Sequence, residues 1–293
     1  MPRFPAALLF AALALPQAYA AVHHKYQPLD TNYPVPAENV LWVAADAPVG
    51  GEGSRDKPLD TIRTAVQRAT DGTTIILKSG AYREPHFFVT KNHITLQAEP
   101  HGDVWLKGST VVPAERFEKE GNLWKVTGDF QNFCHVCTLS ADPGLAGMSA
   151  YPEQVFINDE PLKQVASKDA VKPGTFYVED PNPTTLKDPK NENNRLGFNI
   201  PPAHEVTWYL GSDPTQGSAE ISKYTRALTS TGKRFKMRGI NIAQYSPHQY
   251  WGYKDPVLAD MSGPIALSVN GESSLVEDAI FAQNGSGASA FFF

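Results

Sequence analysis

Asp71-Gly72-Thr73-Thr74-Ile75-Ile76-Leu77-Lys78-Ser79-Gly80-Ala81-Tyr82-Arg83-Glu84 is the stretch on which the fold turns. Thr73 to Lys78 is a β-rich run. Asp71-Gly72 opens it, and Ser79 to Glu84 turns the chain after it. On its N-terminal side, Ile62, Ala65, Val66 and Ala69 recur at helical spacing, while Arg63, Gln67 and Arg68 face away. This predicts a short amphipathic helix over Asp60–Ala69, with Asp60 or Thr61 as N-cap. Further upstream, Leu41-Trp42-Val43-Ala44 is a short apolar strand, joined to Pro58-Leu59-Asp60-Thr61 by a Gly-rich loop over Asp46–Lys57. On the C-terminal side, Phe87-Phe88-Val89, Ile94-Thr95-Leu96 and Val104-Trp105-Leu106 follow at a spacing near ten residues. Spacing alone fits a sandwich and a solenoid equally well.

Leu41–Ala44, the Gly-rich loop, Pro58–Ile62, Asp71–Leu77 and Gly80–Glu84 together resemble the opening of right-handed parallel β-helix proteins of the pectate-lyase-like superfamily. The resemblance covers roughly residues 41–108. It implies an all-β fold with a first strand, a helix that caps the end of the solenoid, and a first coil. A cap is physically required, because an end coil otherwise leaves its interior and strand edges in water.

Residues 109–220 break the rhythm. Phe117–Val126 reads as a hairpin turning at Glu120-Gly121-Asn122, and Gln154–Leu162 as another, turning at Asn158-Asp159. Pro173–Asp180 and His204–Leu210 continue the β pattern around a polar loop, Asp180–Arg195. The block is expected to be an inserted antiparallel β module, and it resembles, more loosely, insertions in carbohydrate-active β-helix families. From residue 221 the solenoid is expected to resume. Leu275–Phe281 echoes Met237–Ala243, and Ala288–Phe291 would match Ala266–Val269 on the next coil. The chain stops at Phe291-Phe292-Phe293, where a solenoid should carry a polar cap. This reads as a fragment of a longer protein, or as an end covered by a partner chain.

The first 20 residues match an export signal: Arg3, the apolar run Ala6–Leu15, and Ala18-Tyr19-Ala20 as cleavage site. A buried N-terminal helix is the alternative. The expected location is therefore secreted or periplasmic, with no membrane association after cleavage. The full chain has 26 basic and 31 acidic residues, a net charge of −5. Loss of Arg3 makes it one more negative, which argues against nucleic acid as a partner. Twenty-two Gly and 24 Pro suit a turn-rich β protein. In an exported protein, Cys134-His135-Val136-Cys137 points to a local disulfide between Cys134 and Cys137; free thiols and a redox or metal pair stay open.

No phosphate loop, zinc His pair or nucleophile elbow is present. The candidate binding segment is Tyr245–Pro256. Its Tyr245, His248, Tyr250, Trp251, Tyr253, Lys254 and Asp255 combine flat apolar rings with polar groups, which suits a sugar. The alternative is that these rings form ordinary interdomain core. Glu272, Glu277 and Asp278 form an acidic group, but adjacent strand residues point to opposite faces, so Glu277 and Asp278 cannot flank one bond. They read as a solvated face. The resemblance implies a polysaccharide or oligosaccharide partner, with lyase or glycoside hydrolase chemistry and catalytic residues on coils beyond Phe293. A non-catalytic binding or adhesion solenoid and an inactive truncated product are the alternatives. No cofactor is evident; calcium would be expected only for a lyase.

Overall fold

The computed structural model describes residues 26–128, 130, 133, 151–183, 185–186, 198–199, 202–246, 266–285 and 289–291. The chain is all-β. Among the described residues the α-helix is Ile62–Arg68, with three short 3-10 turns beside it.

Three sheets pair entirely in parallel. Sheet I has the order Val40–Val43, Thr74–Leu77, Thr95–Ala98, Lys236–Arg238, Leu275–Glu277. Sheet II runs Gly80–Tyr82, Val104–Lys107, Ile240–Ala243, Phe281–Ala282. Sheet III runs Phe87–Val89, Leu228–Ser230, Leu267–Val269, Ser289–Phe291. The chain visits them in one repeating order, III, I, II, three times over, and the strands around Ile75, Leu96 and Met237 lie side by side in register. Ile75, Leu77, Leu96, Ala98, Val104, Leu106, Met237, Ile240 and Ile242 point into one shared core. Strand alternation explains why every second residue of these runs is apolar. The corners repeat too: a Cβ on Gly271 would lie 1.8 Å from the Gly232 carbonyl oxygen, and one on Gly232 1.9 Å from that of Lys91.

The helix is shorter than its periodicity predicts. Thr61 is the N-cap, its side chain accepting from the Thr64 N–H, and Ala69 is already extended. Leu59, Ile62, Ala65 and Ala69 close one end of the core. The Glu84 carboxylate accepts from the Ile62 N–H at 2.7 Å and the Arg63 N–H at 3.1 Å, a second cap on the free amide groups.

The remaining strands form sheets of antiparallel character. Sheet IV has the order Glu160–Pro161, Val155–Ile157, Ala219–Ser222, Ser109–Val112. Sheet V has the order Lys163–Gln164, Thr175–Glu179, Val206–Leu210, Leu123–Gly128, Glu118–Glu120, parallel only in its first pair. Both expected hairpins are there, turning at Gly121 (φ 60°) and at Asn158 and Asp159 (φ 52° and 63°). Val155, Phe176, Val178, Trp208 and Ile221 fill a second core between the two sheets. Trp208 stacks on Phe176 with ring centroids 5.8 Å apart. A two-stranded pair, Thr185–Leu186 with Phe198–Asn199, lies apart from both.

Candidate functional site

Strand alternation sends Val104 and Leu106 into the main core, and so turns Trp105 and Lys107 to the other face of sheet II. That face is not solvent. Trp105 is 2% exposed against Ala243 and Ala282, and Lys107 is 1% exposed. The antiparallel sheets cover it. From their side come Glu220, on Ala219–Ser222, and Asp159, on the hairpin turn. Lys107 Nζ donates to Asp159 Oδ1 at 2.7 Å and to Glu220 Oε1 at 3.1 Å. Arg83 donates to Glu220 Oε2 at 2.8 Å, and Ser109 Oγ also donates to that carboxylate. Gln244 Nε2 reaches Asp159 Oδ1 at 3.3 Å and Gln283 Oε1 at 3.2 Å, and Gln283 Nε2 donates to the Asp159 carbonyl at 2.7 Å. Burial alone would push the Glu220 carboxyl up; Arg83 and Lys107, with Ser109, outweigh it and hold Glu220 below its ordinary value. Two cations against two carboxylates make this network a neutral joint between sheet II and the antiparallel sheets.

Beside the joint lies a cavity of about 470 Å³ lined by Tyr151, Pro152, Glu153, Gln154, Pro161, Leu162, Lys163, Gln164, Phe176 and Gly285. Gln154 ties its walls together. Its Nε2 donates to the Gln283 carbonyl at 3.0 Å, its N–H to Ser222 Oγ at 3.0 Å, and its Oε1 accepts from Ser246 Oγ at 3.1 Å. Glu153, 6% exposed, accepts from Gln164 Nε2 at 3.2 Å. The cavity thus offers an aromatic ring, a buried carboxylate, two amides and an ammonium group around an apolar floor. Its volume and its mixed lining match those of small-ligand sites. Sugar hydroxyls can donate to Glu153 and accept from Lys163 and the amides, while a pyranose face can lie on Tyr151.

Of the sequence-selected binding residues, Tyr245 is 2% exposed and packs in the main core. Burial drives its phenol far above the usual tyrosine range. The aromatic that was expected to meet a sugar is core, because Gln244 takes a left-handed backbone (φ 63°) and turns the next side chain inward. Its main chain still meets the cavity wall: the Gly285 N–H donates to the Tyr245 carbonyl at 2.8 Å. His248, Tyr250, Trp251, Tyr253, Lys254 and Asp255 lie outside the described residues, as do Cys134 and Cys137. Ser246, the residue that leads into this segment, touches the cavity through Gln154.

The acidic group makes two ion pairs and one hydrogen bond. Glu272 meets Lys233 at 3.0 Å, Glu277 meets Arg238 at 2.8 Å, and Tyr33 donates to Asp278. The alternation argument fails at one point. Asp278 has φ 50°, which brings its carboxylate back beside Glu277 around the Tyr33 ring. Tyr151, Glu153, Lys163 and Gln164 were not legible as a site. They bracket a hairpin with no motif spacing, and only the fold brings them together. Among the described residues no group of three or more His, Cys, Asp or Glu is placed to hold a metal ion.

No protein-family model matches the chain. No curated protein matches it either. Two solved structures resemble it. One, "The complex structure of XylC with xylose", has a TM-score of 0.53 and 17% identity, over 84% of this chain and 43% of that one. The other, described as a glycoside hydrolase, has a TM-score of 0.44 and 10% identity, over 86% of this chain and 62% of that one. The chain therefore spans less than half of the first protein and under two thirds of the second, and its likeness to the first is a likeness of fold.

Proposed function

We propose that this chain belongs to an exported, carbohydrate-active protein that binds and processes a polysaccharide, with the cavity lined by Tyr151, Glu153, Gln154, Lys163 and Gln164 as a sugar subsite. The single observation that carries the reading is that cavity: Tyr151, Glu153, Gln154, Lys163 and Gln164 converge on one saccharide-sized space, and Gln154 is tied to the Gln283 carbonyl and Ser222. The fold likeness to a protein solved with xylose supports the ligand class. In this reading the repeating III, I, II order is the winding of a right-handed parallel β-helix of the pectate-lyase-like kind. Residues 1–20 are its export signal, 21–108 its cap and first coils, 109–220 an inserted module whose last strand runs on to Ser222, and 221–293 resumed coils beginning with the strand Leu228–Ser230. The product is secreted or periplasmic.

A binding-only role is the second reading, and one observation favours it. Glycoside hydrolysis needs two carboxylates across the scissile bond, and among the described residues Glu153 is the sole carboxylate lining this cavity. The experiment incubates the protein with neutral and uronate oligosaccharides and follows heat of binding, new reducing ends and ultraviolet absorbance. Unsaturated products mean a lyase, for which calcium would then be tested; reducing ends without them mean a hydrolase; binding alone means the second reading. Both readings fail if no oligosaccharide binds, or if Glu153→Gln and Lys163→Ala leave binding unchanged.

A further inference from the structure

Strand Thr175–Glu179 has two faces. Phe176 and Val178 point into the core between the antiparallel sheets, while Tyr177 and Glu179 point the other way. On the neighbouring strands Thr207 and Thr127 share that outer face: Glu179 pairs with Thr207, and Thr207 with Thr127. Loop residues Asp180, Pro181, His204 and Glu205 complete a second cavity of about 750 Å³. Its groups are held in place. Thr127 and Thr207 hydroxyls lie 2.8 Å apart, and Glu179 accepts from the Tyr209 phenol at 3.2 Å. Tyr177 lies nearly parallel to Tyr209, with ring centroids 6.4 Å apart.

His204 fixes the charge of this space. Its Nε2 meets Asp180 Oδ1 at 2.5 Å and its Nδ1 meets the Pro202 carbonyl at 2.9 Å. Both partners are acceptors, an arrangement that favours the doubly protonated, charged form of the ring. The hydrogen bond to Asp180, then that to Pro202, raises its pKa accordingly. His204 shares the space with three carboxylates, Glu179, Asp180 and Glu205. The space is rich in acceptors and net negative with the imidazole charged or neutral, and it carries one tyrosine and two threonine hydroxyls. A ligand with many hydroxyl donors and an apolar face fits these groups; a uronate is repelled.

We propose that this outer cavity is a second saccharide site, selective for neutral over acidic sugar chains and independent of the cavity beside sheet II. It shares with the proposed function only the premise that the ligand is a saccharide. A sugar chain held at two places on one protein gains avidity without a new contact at either.

The test titrates the full chain by calorimetry with a neutral xylo-oligosaccharide, an oligogalacturonate of the same length, and calcium chloride. Tyr177→Ala should weaken binding of the neutral oligosaccharide at this site about tenfold, and Tyr177→Phe, which keeps the ring, should not. Glu179→Gln with Glu205→Gln should admit the oligogalacturonate, a gain that mere loss of structure would not produce. Lys163→Ala, in the other cavity, should leave this site's binding intact; losses confined to that variant would overturn this proposal and leave the proposed function standing. The proposal also falls if Tyr177→Ala changes nothing, if the wild type binds oligogalacturonate as tightly, or if calcium binds here and sugar does not.

Discussion

Replacing Lys107 by methionine tests the buried charge joint between sheet II and the antiparallel sheets. The substitution keeps the length of the side chain and its apolar stem and removes one charge that is 1% exposed. Glu220 keeps Arg83 at 2.8 Å and Ser109, so its charge stays compensated. Asp159 keeps only the Gln244 amide at 3.3 Å on the oxygen that Lys107 held at 2.7 Å. Breaking one partner out of a buried pair costs about 3–5 kcal/mol. The Asp159 side chain retains 11% exposure, which lets some water reach it and places the cost near the lower end, about 3 kcal/mol. That is a large part of a typical domain stability of about 5–15 kcal/mol. Urea unfolding at neutral pH reads it as a lower midpoint. Adding Asp159→Asn removes the orphaned charge and should recover at least half of the loss. Acid titration gives an independent sign. Glu220 titrates below its ordinary 4.5 in the folded protein, so its contribution is present above that value and is lost as pH falls through the folded pKa. Without Lys107 that folded pKa rises and the acid loss becomes shallower. A cost under about 1 kcal/mol, or no rescue by Asp159→Asn, would refute the reasoning that the network is a buried charge joint.

Gly271→Ala should destabilise by about 1–3 kcal/mol, because its Cβ would meet the Gly232 carbonyl oxygen at 1.8 Å and the stacked corner has to shift; thermal unfolding checks this, and an unchanged midpoint counts against the corner. Thr61→Ala should cost about 1 kcal/mol through the lost N-cap bond to the Thr64 N–H, read by the same melt. The His204 imidazole should titrate above its ordinary 6.5 because Asp180 holds the charged form, and Asp180→Asn should bring it down. The stability it lends is thus full below pH 6.5 and lost as pH rises through the folded value; an NMR titration with a midpoint at or below 6.5 would contradict this.

The strands were legible because each carries its signal locally: Ile75 sits in a short apolar run, and Leu96, Met237 and Ile240 sit in short segments whose apolar residues alternate with polar ones. The helix was legible for the same reason, through its spacing and its cap. Pairing was harder. Thr95 meets Lys236 across the whole antiparallel block, and only the weak echo between successive runs hints at it. The polar contacts were not legible at all. Lys107 and Glu220 are 113 positions apart, and in sequence each looks like an ordinary surface charge.

Where residue-by-residue alternation failed, it failed at one kind of backbone. Asp159, Gln244, Gln283 and Asp278 all have left-handed conformations, at φ of 63°, 63°, 54° and 50°. None is glycine, so each costs of order 1 kcal/mol or more that its surroundings must offset. Gln244 and Gln283 follow the paired residues Ala243 and Ala282, so the same left-handed corner is stacked twice on one edge of sheet II. Three of these corners redirect side chains that build the joint: Asp159 turns to Lys107, Gln244 to Asp159 and Ser109, Gln283 to the Asp159 carbonyl. Their hydrogen bonds hold the unfavourable backbones, and the backbones aim the hydrogen bonds. Stability and site geometry are therefore coupled at this edge. A substitution that relaxes one corner, such as Gln244→Gly, would ease the backbone while removing three side-chain bonds, and its effect on the neighbouring cavity should exceed its effect on the core of sheet I.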